Sequence, residues 1–159
     1  DLAARLVGAM VDRCGPAAPV VVVGFLPPWY PHRANLGAGP GERVVEGAAL
    51  EAVREMKGRF GLDLEVRPFF EGVSDLSYCG FQGDDREMVI FADNMPGWGR
   101  LYRLPVEALA ELDIPILNLG AVAKDSHKCT ERVHLPYMLE VYPEILRFVV
   151  KEIIEGYRS

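Results

Sequence analysis

The chain has 159 residues and a formal net charge of −6, with 50% hydrophobic and 25% charged residues. Its length suits one ordinary domain, and its composition is that of a folded, water-soluble protein. The acidic balance leaves no stripe of Lys and Arg to release counterions from phosphates, which excludes a protein that binds the nucleic-acid backbone. The longest apolar run, residues 20–26, is far shorter than the roughly 20 residues of a membrane span, so we expect no membrane partner.

The cysteines indicate the redox compartment of the chain, and the first residues indicate that it is part of a longer protein. Cys14, Cys79 and Cys129 stand far apart and form no C-x-x-C pair, which favours a reducing compartment. We therefore expect a cytoplasmic protein. The sequence begins with Asp1, and its first residues already follow a helical pattern, so we expect it to be a piece of a longer protein.

The first part of the chain predicts a helix, a strand and a crossing loop. Apolar positions recur at helical spacing over residues 2–13, and Gly15-Pro16 ends the helix. Residues 19–26 form a continuous β-branched run, which is typical of a buried strand. Residues 27–41 are rich in Pro, Gly and aromatic residues and indicate a crossing between two domains. We place the domain boundary between residues 34 and 35.

From residue 42 onward the pattern alternates between helices and short apolar strands. Helices are expected at residues 42–60, where Gly61 ends the helix, at 74–81, at 104–112 and from about 137 or 143 to 156. Strands are expected at residues 64–70, 88–91 and 114–119. This alternation predicts an α/β fold, in which functional side chains lie in loops beyond the carboxyl ends of the strands.

The loop after residues 114–119 contains the most informative polar cluster. His127 stands there beside Asp125 and Glu131. An imidazole in such a loop could ligate a metal, with a neighbouring carboxylate fixing the ring tautomer. The same pattern suits a surface histidine in an ion-rich turn, and the residues alone leave both interpretations open. Ser126 is not expected to be a nucleophile, because neighbours in sequence rarely adopt the geometry of a catalytic triad.

A glycine-rich stretch before the first long helix suggests a phosphate-binding loop. Residues 37–42 read Gly-Ala-Gly-Pro-Gly-Glu. No strand stands immediately before them, no Lys-Ser or Lys-Thr follows them, and Glu42 places a negative charge where the anion would lie. A glycine-rich crossing loop is the better interpretation.

Four blocks in order resemble a known family. Residues 124–133, Lys-Asp-Ser-His-Lys-Cys-Thr-Glu-Arg-Val, resemble the Lys-Asp-Ala-His-Lys-x-Thr-Glu-Arg segment of arginine-utilisation (RocB-type) proteins. That family belongs to the co-catalytic zinc peptidases and amidohydrolases, together with the aminoacylases and desuccinylases. Residues 27–31, 70–78 and 94–99 agree with it in order and spacing. The resemblance runs from about Pro19 to the end of the chain.

The resemblance implies a division of the chain and an activity. Residues 35–159 would be the second half of a zinc-peptidase-like catalytic α/β sheet domain, and residues 1–34 the end of a lid or dimerisation domain with its crossing loop. The intact protein would hold two zinc ions and cleave amide bonds of amino-acid derivatives in arginine utilisation. Its expected partners are the missing N-terminal half of the catalytic domain, a small amino-acid-derived substrate and a second copy in a homodimer.

The resemblance also assigns roles around one histidine. His127 matches the last metal ligand of the family, and Lys124, Asp125 and Glu131 would lie around it and shape its loop. The other family ligands include a His-x-Asp motif and a Glu-Glu pair, neither of which this sequence contains. Zinc takes about four ligands in a structural site and about three with a water in a catalytic one. We therefore expect no catalytic residue and no zinc in this chain alone.

Several other residues have alternative interpretations. Ser74 and Asp75 match a Ser/Thr-Asp turn near the substrate pocket of the family, and they equally suit the N-cap of a short helix, so both roles stay open. His32 and His134 are expected to be ordinary surface residues. The alternative to a metallohydrolase segment is a non-catalytic α/β domain that binds a partner or a small anion. In that case the His127 loop has only a structural role.

Overall fold

The computed structural model describes residues 2–15, 19, 21, 23, 29–68, 70, 72–95 and 97–158. The chain divides into two compact units, Asp1–Tyr30 and Pro31–Ser159. This division lies close to the predicted boundary after residue 34, and the assignment of the parts to a lid and a catalytic domain stays a prediction. No helix within the described residues is long and apolar enough to cross a membrane.

The first unit contains helix α1, Leu2–Cys14. Gly15 follows it with a φ of 57°, a left-handed backbone that glycine adopts without steric cost. The N–H of Gly15 donates to the carbonyl of Asp12 at 3.3 Å, which closes the last turn. The predicted helix and its glycine stop are confirmed.

The buried strand predicted for residues 19–26 is not found in their described part. Val21 and Val23 are 89% and 92% exposed and belong to no strand. Residues 20, 22 and 24–26 lie outside the described residues. A β-branched run becomes a buried strand only when a neighbouring strand pairs with it, and the described residues of this unit supply none.

The second unit combines helices with one small sheet. Its elements in chain order are α2 (Pro40–Phe60), a 3₁₀ helix (Asp75–Cys79), α3 (Asp85–Asp93), α4 (Val106–Leu112), β1 (Ala123–Lys124), β2 (Arg132–Val133), a π-helical turn (Tyr137–Val141) and α5 (Tyr142–Gly156). β1 and β2 are antiparallel, with Ala123 opposite Val133 and Lys124 opposite Arg132. The described residues therefore form a mixed α/β unit.

The core of the second unit lies between α2 and α5. These two helices pack against each other, and the turn before α5 adds Tyr137. The buried cluster consists of Ala52, Met56, Tyr137, Ile145 and Val149. Met56 and Ile145 are fully excluded from water, and burial of one such side chain contributes about 1.5–3 kcal/mol. Ala52 and Met56, which stand four residues apart on one face of α2, are the residues that this helix contributes to the core.

Helix α2 ends as its sequence predicts. Gly61 has a φ of 65°, and its N–H donates to the carbonyl of Lys57 at 3.0 Å. A left-handed residue is needed here to reverse the chain and satisfy the free carbonyls of the last turn, which favours glycine. The Gly61 stop is confirmed.

The strand predicted at residues 88–91 is wrong, because these residues lie within α3. The N–H of Glu87 donates to Asp84 Oδ1 at 2.7 Å, and the N–H of Asp84 donates to Glu87 Oε2 at 3.3 Å. This capping box satisfies two free donors of the first turn and so favours a helix over a short strand. The short apolar run alone did not reveal it.

Two further predicted strands are extended but unpaired. We call residues 62–67 the first extended segment and residues 114–119 the second extended segment. Neither belongs to a ladder formed by the described residues. Leu62 and Leu64 of the first segment pack on the core, as do Leu117 and Leu119 of the second. The predicted strands at 64–70 and 114–119 are therefore wrong as paired strands, because no partner strand lies beside them in the described part of the chain.

A buried ion network fastens the crossing loop to the start of α2. The guanidinium of Arg33 lies 3.2 Å from Glu42 Oε1, with the two side chains only 1% and 11% exposed. Arg33 Nε also lies 3.3 Å from Asp113 Oδ1, in an ion pair without hydrogen-bond geometry. At Gly80 a Cβ atom would come within 2.6 Å of the Arg33 side chain, so glycine makes room for the arginine. Nothing in the sequence pattern pointed to this network.

Glu42 also occupies the place that the glycine-rich stretch would offer to an anion. Its Oε2 accepts the N–H groups of Leu36 at 3.0 Å and Ala38 at 3.1 Å. Burial alone would raise the pKa of Glu42, but the backbone N–H groups and Arg33 outweigh it and lower the pKa below its ordinary value. These contacts agree with the expectation that Glu42 places its negative charge where an anion would lie, and the crossing between two domains stays a prediction.

Glu42→Gln is expected to lower the free energy of unfolding by about 1–3 kcal/mol at neutral pH, because buried Arg33 loses its charged partner. Because the pKa of Glu42 is lowered on folding, its contribution is complete above the unfolded value of about 4.3 and is lost as the pH falls through the folded value. Urea denaturation should therefore show wild type and variant converging in acid.

Glu51→Gln is the matched control for that measurement. Glu51 lies on the same helix and pairs with Arg54, but both side chains are exposed. An exposed pair contributes at most about 1 kcal/mol. An equal loss of stability in the two variants would contradict the role assigned to the buried network.

Candidate metal-ligand loop

The β1–β2 hairpin holds the loop that carries His127. Beyond the two paired positions, the N–H of His134 donates to the carbonyl of Val122 at 2.9 Å and continues the hairpin by one bond. The loop of residues 125–131 therefore has both its ends fixed by backbone hydrogen bonds. The polar loop expected after residues 114–119 is present, and the hairpin that closes it was not predicted.

Two residues of this loop adopt the left-handed backbone region. Asp125 has a φ of 57° and His127 a φ of 63°. For residues other than glycine this region costs about 1–2 kcal/mol, although aspartate and histidine enter it more readily than most. Such a conformation persists where surrounding contacts enforce it, and it is found disproportionately at functional sites.

Side-chain and backbone contacts enforce that conformation. Glu131 Oε2 accepts the backbone N–H of His127 at 2.9 Å. The N–H of Lys128 donates to the carbonyl of Asp125 at 3.0 Å, and the N–H of Glu131 donates to the carbonyl of Lys128 at 3.0 Å. These three bonds fold the loop into consecutive tight turns. Glu131 therefore orients the main chain of His127.

The imidazole of His127 is left free. His127 is exposed, and none of the hydrogen bonds within the described residues reaches its ring. The carboxylate of Asp125 pairs with Arg132 at 3.3 Å, and Lys124 points from β1 as an exposed residue. Of the three residues predicted to surround His127, only Glu131 hydrogen-bonds to it, and its carboxylate accepts the backbone N–H of His127.

These residues do not by themselves fit a zinc ion. Among the described residues, no group of three His, Cys, Asp or Glu side chains is placed to hold a metal. Zinc needs about three or four protein ligands, so His127 can contribute at most one of them. A metal at His127 would therefore require ligands from outside this set.

Ser74 and Asp75 begin the 3₁₀ helix. Ser74 Oγ accepts the N–H of Leu76 at 3.3 Å, so the predicted N-cap is confirmed. Asp75 is exposed in the first turn. No hydrogen bond or ion pair within the described residues joins these two side chains to the His127 loop. Their contact with a substrate stays a prediction.

The other two histidines are exposed, as predicted. His134 has a structural role that the sequence analysis missed, because its Nδ1 accepts the N–H of Tyr137 at 3.2 Å. It thereby caps the helical stretch that begins just after it and ends in α5. Pro136, which suits a first helical turn, was the available signal for a cap at this position.

Comparison with known proteins supports the predicted resemblance. The chain is 32% identical over 159 residues to the uncharacterised protein YqjN of Bacillus subtilis strain 168, a match that covers all of the chain and 28% of YqjN. It is 28% identical over 138 residues to protein RocB of the same strain, a match that covers 87% of the chain and 24% of RocB. The chain thus spans about a quarter of the length of the curated relatives it matches. No family model and no solved structure matches it.

Glu131→Ala is expected to speed hydrogen exchange at the His127 amide by about tenfold or more, because a hydrogen bond to a charged acceptor contributes about 1.5–3 kcal/mol. NMR exchange measurements at single-residue resolution would show it. Glu131→Gln keeps an acceptor oxygen at the same position and should retain most of the protection. Unchanged exchange in Glu131→Ala would mean that this carboxylate does not fix the loop.

Proposed function

We propose that the chain is one segment of a longer zinc-dependent hydrolase that cleaves amide bonds of amino-acid derivatives in arginine utilisation, and that His127 supplies one of its metal ligands. The homology to RocB supports a segment of a longer protein with a role in arginine utilisation, and the zinc-dependent hydrolysis rests on the family resemblance of residues 124–133. The observation that carries the second is an exposed imidazole, without a hydrogen-bond partner among the described residues, on a backbone that the Glu131 carboxylate holds in a left-handed conformation.

The loop geometry suits a ligand better than it suits an ordinary turn. A surface turn with no other role would place glycine or asparagine at a φ near 60°, since these residues pay little for it. Here a histidine takes the position, and Glu131 offsets the cost. The imidazole keeps both nitrogens available, as metal ligation and an outer hydrogen-bond partner require.

The remaining parts of the site belong outside this segment. The described residues do not assemble a zinc site, so the other ligands of the two expected zinc ions come from the rest of the longer protein. Ser74 and Asp75 are proposed to line the pocket for an amino-acid-derived substrate, in addition to the cap that Ser74 makes. A cytoplasmic setting accords with the free thiols of Cys14, Cys79 and Cys129.

The chain on its own is expected to be inactive on N-acyl amino acids and dipeptides and to bind zinc no more tightly than an exposed histidine does. A single ligand gains too little to displace the hydration of the ion. Titration calorimetry with zinc, together with an amidase assay, measures both. Stoichiometric sub-micromolar binding, or turnover by this chain, would contradict the assignment of the remaining ligands to another part of the protein.

In the longer protein, His127→Ala is expected to lower the zinc content and to remove most of kcat, because a metal ligand is lost. The fold should stay intact, because removal of an exposed ring leaves no cavity. Elemental analysis and turnover measurements are the readouts. His127→Gly should behave in the same way, and since glycine tolerates the left-handed backbone, it separates loss of the ligand from disturbance of the loop.

His32→Ala is the control for a general histidine effect, since His32 is exposed and should leave zinc content and turnover unchanged. His134 is a poorer control, because it caps the helical stretch that follows it. Full zinc content and near-normal turnover in both His127 variants would favour the alternative, a non-catalytic α/β domain in which the loop serves structure.

A further inference from the structure

The hairpin that carries His127 lies outside the core of the second unit. Residues 120–136 are exposed, apart from the half-buried Asp125. None of them belongs to the buried cluster or to the hydrophobic side chains packed around it. Packing on the core therefore contributes little to the orientation of the hairpin, which has to be set by the two ends where the hairpin joins the rest of the chain.

The first of these ends is held loosely. Leu119 packs on the core, and its carbonyl accepts the Tyr142 hydroxyl at 3.4 Å, near the outer limit for a hydrogen bond. Residues 120 and 121, which lie between Leu119 and the hairpin, form no backbone hydrogen bond within the described residues. This end therefore constrains the direction of the hairpin only weakly.

The second end is held by His134. Its backbone N–H donates to the carbonyl of Val122 at 2.9 Å and so belongs to the hairpin. Its carbonyl accepts the N–H of Met138 at 3.0 Å, and its ring Nδ1 accepts the N–H of Tyr137 at 3.2 Å. His134 is thus bonded to the hairpin on one side and to the helical stretch on the other.

The ring of His134 stiffens the link between the hairpin and the core. Residues 135 and 136 are helical, so Nδ1 accepts from the third residue of the stretch, as the side chain of an N-cap does. That third residue, Tyr137, is 7% exposed and belongs to the buried cluster. Without the ring, the first turn would lose a partner for one of its free N–H groups, and the link would loosen.

We propose that His134 is a positioning residue, whose ring holds the hairpin, and with it the His127 imidazole, in one orientation relative to the α2–α5 core. The contacts within the loop fix the backbone of His127, and His134 fixes the direction in which the whole loop points. His134 itself ligates no metal in this role. Its effect on metal binding rests on the proposed function, whereas its effect on the hairpin is a property of this chain.

Residual dipolar couplings measured by NMR on this chain test the orientation directly. In the wild type, the amides of residues 122–133 should fit the same alignment as those of α2 and α5. In His134→Ala the hairpin couplings should become smaller while those of the helices stay, because removal of an exposed ring leaves no cavity in the core. His134→Asn should restore them, since asparagine is a preferred N-cap.

Zinc binding by the longer protein tests the consequence for the metal site. His134→Ala is expected to raise the dissociation constant for zinc about fivefold, the factor that a typical N-cap contributes to an equilibrium. The His127 imidazole is still present in this variant, so the loss would come from its placement. His134→Asn is expected to keep the wild-type dissociation constant, because the cap is retained.

Asp84→Ala is the matched control. Asp84 caps α3 in the same way, with Oδ1 accepting the N–H of Glu87 at 2.7 Å, and no residue of α3 belongs to the buried cluster or to the hairpin. This variant should lower the thermal midpoint about as much as His134→Ala does and leave zinc binding unchanged. Equal weakening of zinc binding in the two variants would mean that His134 acts through general stability, which would contradict the proposal.

The dipolar couplings decide the proposal even if the metal assignment fails. Unchanged hairpin couplings in His134→Ala, or couplings that His134→Asn does not restore, would overturn it. A longer protein that binds no zinc, or that keeps its zinc in His127→Ala, would instead contradict the proposed function, and the couplings alone would then show whether His134 holds the hairpin.

Discussion

Met56 of α2 and Ile145 of α5 are both fully excluded from water, and the core that they form joins these two helices in one layer. Tyr137 joins the same cluster from the turn before α5, and burial raises the pKa of its hydroxyl, with Tyr142 adding to the effect. The two extended segments pack on this cluster as well. A substitution in the cluster would therefore disturb helices and extended segments together.

The second constraint is the buried charge of Arg33. A guanidinium that is 1% exposed needs anionic partners, and Glu42 and Asp113 supply them from two distant parts of the sequence. Glu42 simultaneously takes the loop N–H groups that a phosphate would otherwise use. The loop is therefore fixed by its own carboxylate, and the glycine-rich sequence serves a structural purpose.

The elements that could be predicted from the sequence are those whose signals are local. Gly15 and Gly61 end their helices because a left-handed residue is needed at one position. The amphipathic face of α2 follows from the spacing of the apolar residues within the helix itself. The strand predicted at 88–91 failed because a capping box of four residues, from Asp84 to Glu87, outweighed a short apolar run. The predicted strands at 64–70 and 114–119 failed as paired strands because pairing depends on a neighbour, and no local pattern shows whether that neighbour is present.

The candidate site likewise has a part that depends on local contacts and a part that depends on residues elsewhere. The conformation of His127 depends on contacts within a loop of seven residues, from Asp125 to Glu131, closed by the β1–β2 hairpin. Those contacts lie within the loop itself, so they hold the backbone of His127 without any contribution from the rest of a longer protein. The extended segments, by contrast, pair with no strand among the described residues. The hairpin loop therefore accounts for the backbone conformation of His127, and a metal at this histidine would depend on ligands outside the described residues.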